Sequence, residues 1–243
     1  MTEAGLDTRP MSLATSPTRQ HLEYAVRLSD SPYKRAFATL EPGDEVAVFG
    51  PIGNFVLDET GPAILIAGGI GITPFKGMAE YAADRALPVP IRLVYSSRSQ
   101  DEIVYRDELA ALEAQNPRFH VLHTVTGLAT HWRGATGRID LGLLREAAGD
   151  LADPVYYVSG TPSMVVGTLR LLRGEGAPAD DIEVEAFRGY GLGTTWRAPP
   201  SAAETAGAFP RSSLLAGRVR PVPERASAST MGRWTTRISS GRG

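Results

Sequence analysis

Cysteine is absent from all 243 residues. That excludes disulfides, thiolate zinc sites, cysteine-held iron–sulfur clusters and a catalytic thiol within this polypeptide. Lysine is nearly absent too: Lys34 and Lys76 stand alone among many arginines, a bias attributed to genomic base composition. The four histidines, His21, His120, His123 and His131, form no H-E-x-x-H or comparable spacing, so no metal site is expected. No apolar run approaches the roughly 20 residues of a membrane helix, and the polar start MTEAGLDTRP lacks the features of a signal peptide. A cytoplasmic protein without membrane contact is expected. A net charge of −2 leaves no excess of either sign, so no nucleic-acid partner is expected. What is present is 42% apolar and 21% charged, a globular composition long enough for one large domain or two small ones.

The most informative stretch is AILIAGGIGITP, residues 63–74. An apolar strand runs into a glycine-rich turn, and Pro74 sits where the next helix opens. Glycines let a backbone approach an anion closely, and the first turn of a helix presents unpaired N–H groups and the positive end of its dipole. Pro74 suits that first turn because its missing N–H has no intrahelical acceptor there. The turn serves equally well as a plain strand-to-helix connection; its context decides between the two.

Three segments follow from patterning. Residues 1–58 read as strands and turns, with apolar or alternating runs at 22–28 and 45–49, the turn Pro42-Gly43-Asp44, and a second glycine–proline corner at 50–54. This stretch holds too few strands to close a barrel and reads as part of a β domain. Residues 59–190 alternate strand and helix: strands at 64–67, 91–95, 119–125, 155–158 and 182–187, and helices at 74–86, 106–114, 141–148 (capped by Asp140) and 163–173. Five strands interleaved with four helices predict a parallel sheet covered on both faces, with ligands at the carboxyl ends of its strands. Residues 191–243 are rich in Arg, Ala, Ser, Pro and Gly and keep no period, so a disordered tail is expected.

Six pieces lie in one order: RPMS followed by LATSP, PGDEVAVFGPIGNF, GGIGITP, YSSRSQDEIVYRDEL, YYVSGTPSM and IEVEAFRGY. In order and spacing, residues 9–190 resemble the ferredoxin–NADP reductase superfamily of flavin and nicotinamide electron-transfer enzymes. The resemblance implies an antiparallel flavin-binding β-barrel before the NAD(P)-binding α/β domain. The family's R-x-Y-S motif holds FAD: the arginine pairs with the pyrophosphate, the aromatic residue stacks on the isoalloxazine and the serine sits by the reactive edge. Arg9 and Ser12 match it, while Met11 replaces the aromatic residue; sulfur against a ring is still favourable by about 0.3–1.5 kcal/mol. Lys34 and Arg35 fall where relatives contact the flavin phosphates. Only eight residues precede Arg9, where relatives carry several barrel strands, so the flavin domain is expected to be partial, truncated or completed by another chain.

On the nicotinamide side the resemblance implies that Gly68, Gly69, Gly71, Thr73 and Pro74 cradle the dinucleotide pyrophosphate. Ser159, Gly160, Thr161 and Pro162 match the element beside the nicotinamide, with serine in place of the family's cysteine. Ser96, Ser97 and Arg98 follow the second strand, where relatives receive the adenosine ribose. An arginine without an acidic neighbour there favours the 2′-phosphate of NADPH over NADH. Glu185, Phe187 and Tyr190 resemble the carboxylate-then-aromatic ending: the carboxylate orients the nicotinamide or relays a proton, and Phe187 or Tyr190 covers the flavin. Phe187 at the end of a strand also fits plain core packing.

The implied activity is hydride transfer from NAD(P)H to FAD, with Ser12, Ser159 and Glu185 at the reacting rings, and electrons passed on to an unidentified acceptor such as a ferredoxin or an oxygenase component. The alternatives are a non-catalytic NAD(P)-binding remnant and a split-reductase subunit that cannot hold FAD alone.

Overall fold

The computed structural model describes residues 9–41, 44, 46, 48, 50–127 and 131–187, and the backbone of the pair Thr236–Arg237. In chain order its elements are β1 (Tyr24–Ala25), α1 (Pro32–Ala38), β2 (Ala63–Gly68), α2 (Ile72–Asp84), β3 (Ile91–Ser97), α3 (Arg106–Gln115), β4 (Phe119–Val125), β5 (Ala135–Thr136), α4 (Leu141–Ala148), β6 (Val155–Gly160), α5 (Pro162–Gly174), β7 (Ile182–Ala186) and β8 (Thr236–Arg237).

A six-stranded sheet in the order β5-β4-β3-β2-β6-β7 forms the body, and every neighbouring pair is parallel. Parallel sheets are buried on both faces, which accounts for the near-continuous apolar run of β2. Alternation then divides that run. Leu65 and Ala67 belong to a core with Leu93, Tyr95, Tyr157 and the α2 residues Phe75 and Ala79. Ile64 and Ile66 belong to a second core with Val94, Val158, Leu144 of α4 and Val165 of α5. From β2 the chain moves outward through β3, β4 and β5, then returns to place β6 on the other side of β2. The carboxyl ends of β2 and β6 therefore flank a topological switch point, the place where open α/β sheets leave a crevice.

The five expected strands are all present, and the sheet has one more. β5 is a two-residue exposed strand beside the end of β4, too short and too polar in surroundings to carry a periodic signal. Helix α2 starts at Ile72, two residues before the expected start, because the turn Gly69–Gly71 is itself wound as a 3₁₀ helix that leads into it. Pro74 still lies in the first turn. The expected cap holds: the Asp140 side chain accepts from the Leu143 N–H at 2.9 Å.

Residues 9–58 depart further from expectation. Of the strand predicted at 22–28, only Tyr24–Ala25 is regular, paired in parallel with Thr236–Arg237. Residues 31–35 belong to α1 and its cap, with the Ser31 side chain accepting from the Lys34 N–H. Pro42 and Gly43 of the expected turn and Glu45, Ala47 and Phe49 of the second expected strand lie outside the described residues, as do Tyr190 and most of the expected tail. Among the described residues no helix is long and apolar enough to cross a membrane, and no group of histidine, aspartate and glutamate could hold a metal ion.

One contact governs the crevice. A Cβ built on Gly71 would stand 2.3 Å from the Ser159 carbonyl oxygen and 2.6 Å from its carbon. These are backbone atoms and cannot rotate away. Gly71→Ala is expected to destabilise the protein by roughly 1–3 kcal/mol through overpacking, read as a lowered urea midpoint. An unchanged midpoint would contradict this contact.

Candidate functional site

The crevice is built from three pieces of chain. The first is the turn after β2. Gly69 adopts φ +54°, a conformation glycine takes at no steric cost, and Gly71 is buried against the end of β6. The second is the end of β6 with β7 beside it, where Ser159 is paired in register with Glu185 and Gly160 with Ala186. The Phe187 N–H donates to the Gly160 carbonyl at 2.8 Å and carries the register one residue further. The third is the segment from Arg9 to Arg27, which arrives from outside the sheet.

That segment is tied to β7 by Ser12, whose Oγ donates to Glu185 Oε2 at 3.0 Å, across 173 residues of sequence. Burial pushes the Glu185 carboxyl above its ordinary range, and the hydrogen bond from Ser12 opposes that rise. Ser159 lies beside Glu185, fully buried, and its hydroxyl has no hydrogen-bond partner among the described residues. A buried hydroxyl without a partner costs free energy unless a ligand completes it. Ser12, Ser159 and Glu185, expected to act together, are thus brought together.

Around them the cofactor candidates divide. The Arg9 guanidinium lies 5.4 Å over the Tyr33 ring, and the Tyr33 hydroxyl reaches Met11 Sδ at 3.4 Å. An aromatic side chain from α1 therefore stands beside the methionine that replaces the motif's own aromatic. Lys34 is partly buried, and burial together with the Arg27 charge holds its ammonium below the usual lysine range. Arg35 turns away: it is exposed and pairs with the exposed Asp30, so the structure does not bring it to the crevice. Gly68 and Gly160 face each other across Met164, whose thioether would lie 3.2–3.6 Å from a Cβ on Gly68 and 2.9 Å from one on Gly160.

Thr73 is placed differently from expectation. It is buried, and its hydroxyl donates to the Ile70 carbonyl at 2.8 Å, closing the turn from within instead of facing a ligand. Pro74 is likewise buried in the first turn of α2. Ser97 is buried at the end of β3 while Arg98 beside it is exposed, its carbonyl accepting from the Gly127 N–H at 2.8 Å. Thr161 and Pro162 are exposed at the start of α5, where the Thr161 hydroxyl caps the helix. Phe187 is half-buried just beyond β7.

Arg27 escaped the sequence reading. Its guanidinium lies 3.4 Å from where a Cβ on Gly69 would be, and it pairs with Glu102 at 3.2 Å. It places a cation directly over the glycine turn, from the segment that also carries Ser12. An arginine just beyond a two-residue strand gives no sequence signal of its own; only the fold reveals what it faces.

The Glu185 environment fixes a sign. A carboxyl with a raised pKa binds more protons when folded, so its contribution to stability is present at low pH and is lost as pH rises through the folded pKa. Ser12→Ala removes the one interaction that lowers this pKa and is expected to move the Glu185 titration to higher pH, observed by carboxyl ¹³C NMR. A midpoint that stays or falls would show that the Ser12 hydrogen bond does not act on the carboxylate.

Comparison with known proteins agrees with this geometry. Residues 65–169 match the family model described as "Oxidoreductase NAD-binding domain". The chain is 31% identical over 156 residues to ferredoxin–NADP reductase B of Sorangium cellulosum (strain So ce56), covering 61% of this chain and 64% of that protein. It is 31% identical over 152 residues to the glycine betaine monooxygenase reductase subunit of Pseudomonas aeruginosa (strain UCBPP-PA14), covering 61% of this chain and 42% of that one. The chain thus spans less than two thirds of the length of these relatives. In fold it resembles the crystal structure of a ferredoxin NADP⁺ reductase from Neisseria gonorrhoeae with bound FAD and NADP, with a TM-score of 0.57 at 22% identity, covering 73% of this chain and 79% of that one. The glycine turn, the paired ends of β6 and β7 and these matches agree: residues 65–169 match an oxidoreductase NAD-binding domain, and the chain is similar to ferredoxin–NADP reductases in sequence and fold.

Proposed function

We propose that this chain is an FAD-dependent NAD(P)H oxidoreductase that takes hydride from the nicotinamide and passes electrons to a separate acceptor. Residues 59–190 are the nicotinamide-binding portion and residues 1–58 the flavin-binding portion of this reading. The observation that carries it is the bond between Ser12 and Glu185 beside the unpartnered hydroxyl of Ser159. It joins the R-P-M-S segment to the strand ends at the switch point, so groups held by the two portions would meet there.

The residues fit both groups. On the nucleotide side, the glycine turn admits a phosphate and Arg27 supplies a cation over it, already held by Glu102 at 3.2 Å. Ser159 offers a buried hydroxyl at the strand end. On the flavin side, Arg9 offers its guanidinium, Met11 and Tyr33 offer apolar and aromatic surface, and Ser12 offers a hydroxyl. Bound FAD would supply the two-electron chemistry that no side chain of this cysteine-free polypeptide provides. The residues position and shield: Ser12 and Ser159 orient by hydrogen bonding, and Glu185, partly buried, holds or releases a proton at Oε2 as its partner changes. Arg98, exposed after β3, supports a preference for the 2′-phosphate of NADPH.

The relatives are named for ferredoxin and for a monooxygenase system. This supports a protein acceptor of the ferredoxin or oxygenase-component kind. A second reading, nicotinamide binding without retention of FAD, is favoured by one observation: Leu22, Ile52 and Val56 on the flavin side are 52%, 57% and 67% exposed.

The two readings separate in one experiment. The purified chain is incubated with FAD, desalted, and its visible spectrum recorded before and after anaerobic NADPH. Retained flavin that bleaches is the expected result, with Arg9→Ala weakening FAD retention about tenfold or more while nicotinamide binding is kept. A colourless protein that still binds NADPH would overturn the first reading in favour of the second.

A further inference from the structure

Lys76 is the feature that nothing above uses. Among the described residues it and Glu23 are the charged residues buried most deeply, at 5% and 6% exposed. Burying a charge is costly unless it is paired, and Lys76 is paired closely. Its Nζ lies 3.0 Å from Glu23 Oε2 and 3.5 Å from Glu80 Oε1, over the Tyr105 ring at 5.6 Å from the centroid. Lys76 stands on α2, the helix that begins at the glycine turn. Glu23 stands immediately before β1, on the segment that carries Ser12 at one end and Arg27 at the other.

The surrounding bonds form one clasp. The Ala14 N–H donates to the Glu23 carbonyl at 2.8 Å and the Glu23 N–H to Thr15 Oγ1 at 3.1 Å, folding residues 14–23 back on themselves. That loop lies directly on α2: a Cβ on Gly77 would stand 3.1 Å from the Thr15 carbonyl oxygen. The Ser16 N–H donates to Glu80 Oε2 at 2.8 Å, and Arg19 pairs with Glu80 at 3.2 Å and Asp84 at 3.0 Å. The outer pairs are partly exposed and weak in that setting. Lys76–Glu23 is the buried member, and a buried pair fixes geometry more firmly than it adds net stability.

We infer that Lys76 is a positioning residue for hydride transfer: through Glu23 it fixes the segment that carries Ser12 and Arg27 relative to the glycine turn, and so sets the distance between flavin and nicotinamide. This inference rests on the proposed reductase reading. Lys76 touches neither reacting group; it acts through Glu23. Its removal leaves the buried Glu23 carboxylate without its cation, whereas removal of the Glu23 charge leaves Lys76 still paired with Glu80. Lys76→Met is therefore the more damaging of the two single changes.

The test measures two things on the same full-length variants, Lys76→Met, Glu23→Gln and the charge swap Glu23→Lys with Lys76→Glu. The first is amide hydrogen exchange, which needs no activity. Lys76→Met is expected to speed exchange at residues 14–23 with β2 and β3 still protected; unchanged exchange in the loop would overturn the inference even if the chain proved not to be a reductase. The second is anaerobic flavin reduction by NADPH on FAD-loaded protein. The limiting rate is expected to fall about 10- to 100-fold in Lys76→Met, less in Glu23→Gln, and to recover partly in the swap, with KM changed far less than the rate. Equal loss of rate and KM, or no recovery in the swap, would show a merely structural role. A wild-type chain that does not reduce flavin would refute the reductase reading and leave the exchange result to decide the clasp.

Discussion

The glycine turn after β2 runs so near the end of β6 that backbone occupies the space a side chain would need. Gly71 against Ser159 and Gly160 sets this approach, and most of the site depends on it. The close packing holds the carboxyl ends of β2 and β6 together at the switch point and aims the start of α2 into the crevice. It also leaves the Ser159 hydroxyl enclosed beside Glu185. A larger residue at Gly71 would separate these parts before it touched any ligand. The loss of function expected from such a change is therefore a loss of strand packing as much as of phosphate access.

Onto this frame the segment 9–27 is attached by contacts of contrasting kinds. At its far end, the hydroxyl of Ser12 meets a carboxyl whose pKa burial has raised. In its middle, residues 14–23 lie against α2 through backbone contact and a buried ion pair. At its near end, Arg27 stands over the turn and pairs with Glu102. Aromatic packing of Phe55 against Phe75 and Tyr157, and the Asp58 N–H donated to the Tyr157 hydroxyl at 2.9 Å, fasten the next stretch to the same sheet. The two portions are joined by specific polar contacts placed on an apolar bed, an arrangement that fixes orientation as well as proximity.

Much of this was legible from residue patterning. Apolar runs of four to seven residues separated by helical periods marked five of the six sheet strands, because a parallel sheet buried on both faces needs such runs. β5 was invisible because two exposed residues carry no period. The motif order named Ser12, Ser159 and Glu185 together, and the fold places them side by side. Patterning could not tell which way a side chain turns inside a tight turn, so Thr73 was assigned to a ligand when its hydroxyl closes the turn from within. Arg35 was grouped with Lys34, although a helix start sends it toward Asp30. Arg27, Lys76 and Glu23 were missed for a common reason: their partners lie 75 and 53 residues away in sequence, and a single chain read alone carries no trace of such pairings.

On the proposed reductase reading, the segment 9–27 and the ends of β6 and β7 act as one unit through Ser12 and Glu185. A double-mutant cycle tests it most directly: anaerobic flavin reduction by NADPH in the wild type, Ser12→Ala, Glu185→Gln and the double variant. A coupling of about 1–3 kcal/mol between the two changes is expected. Effects that add to within about 0.5 kcal/mol would contradict it, for the two residues would then serve the reaction separately.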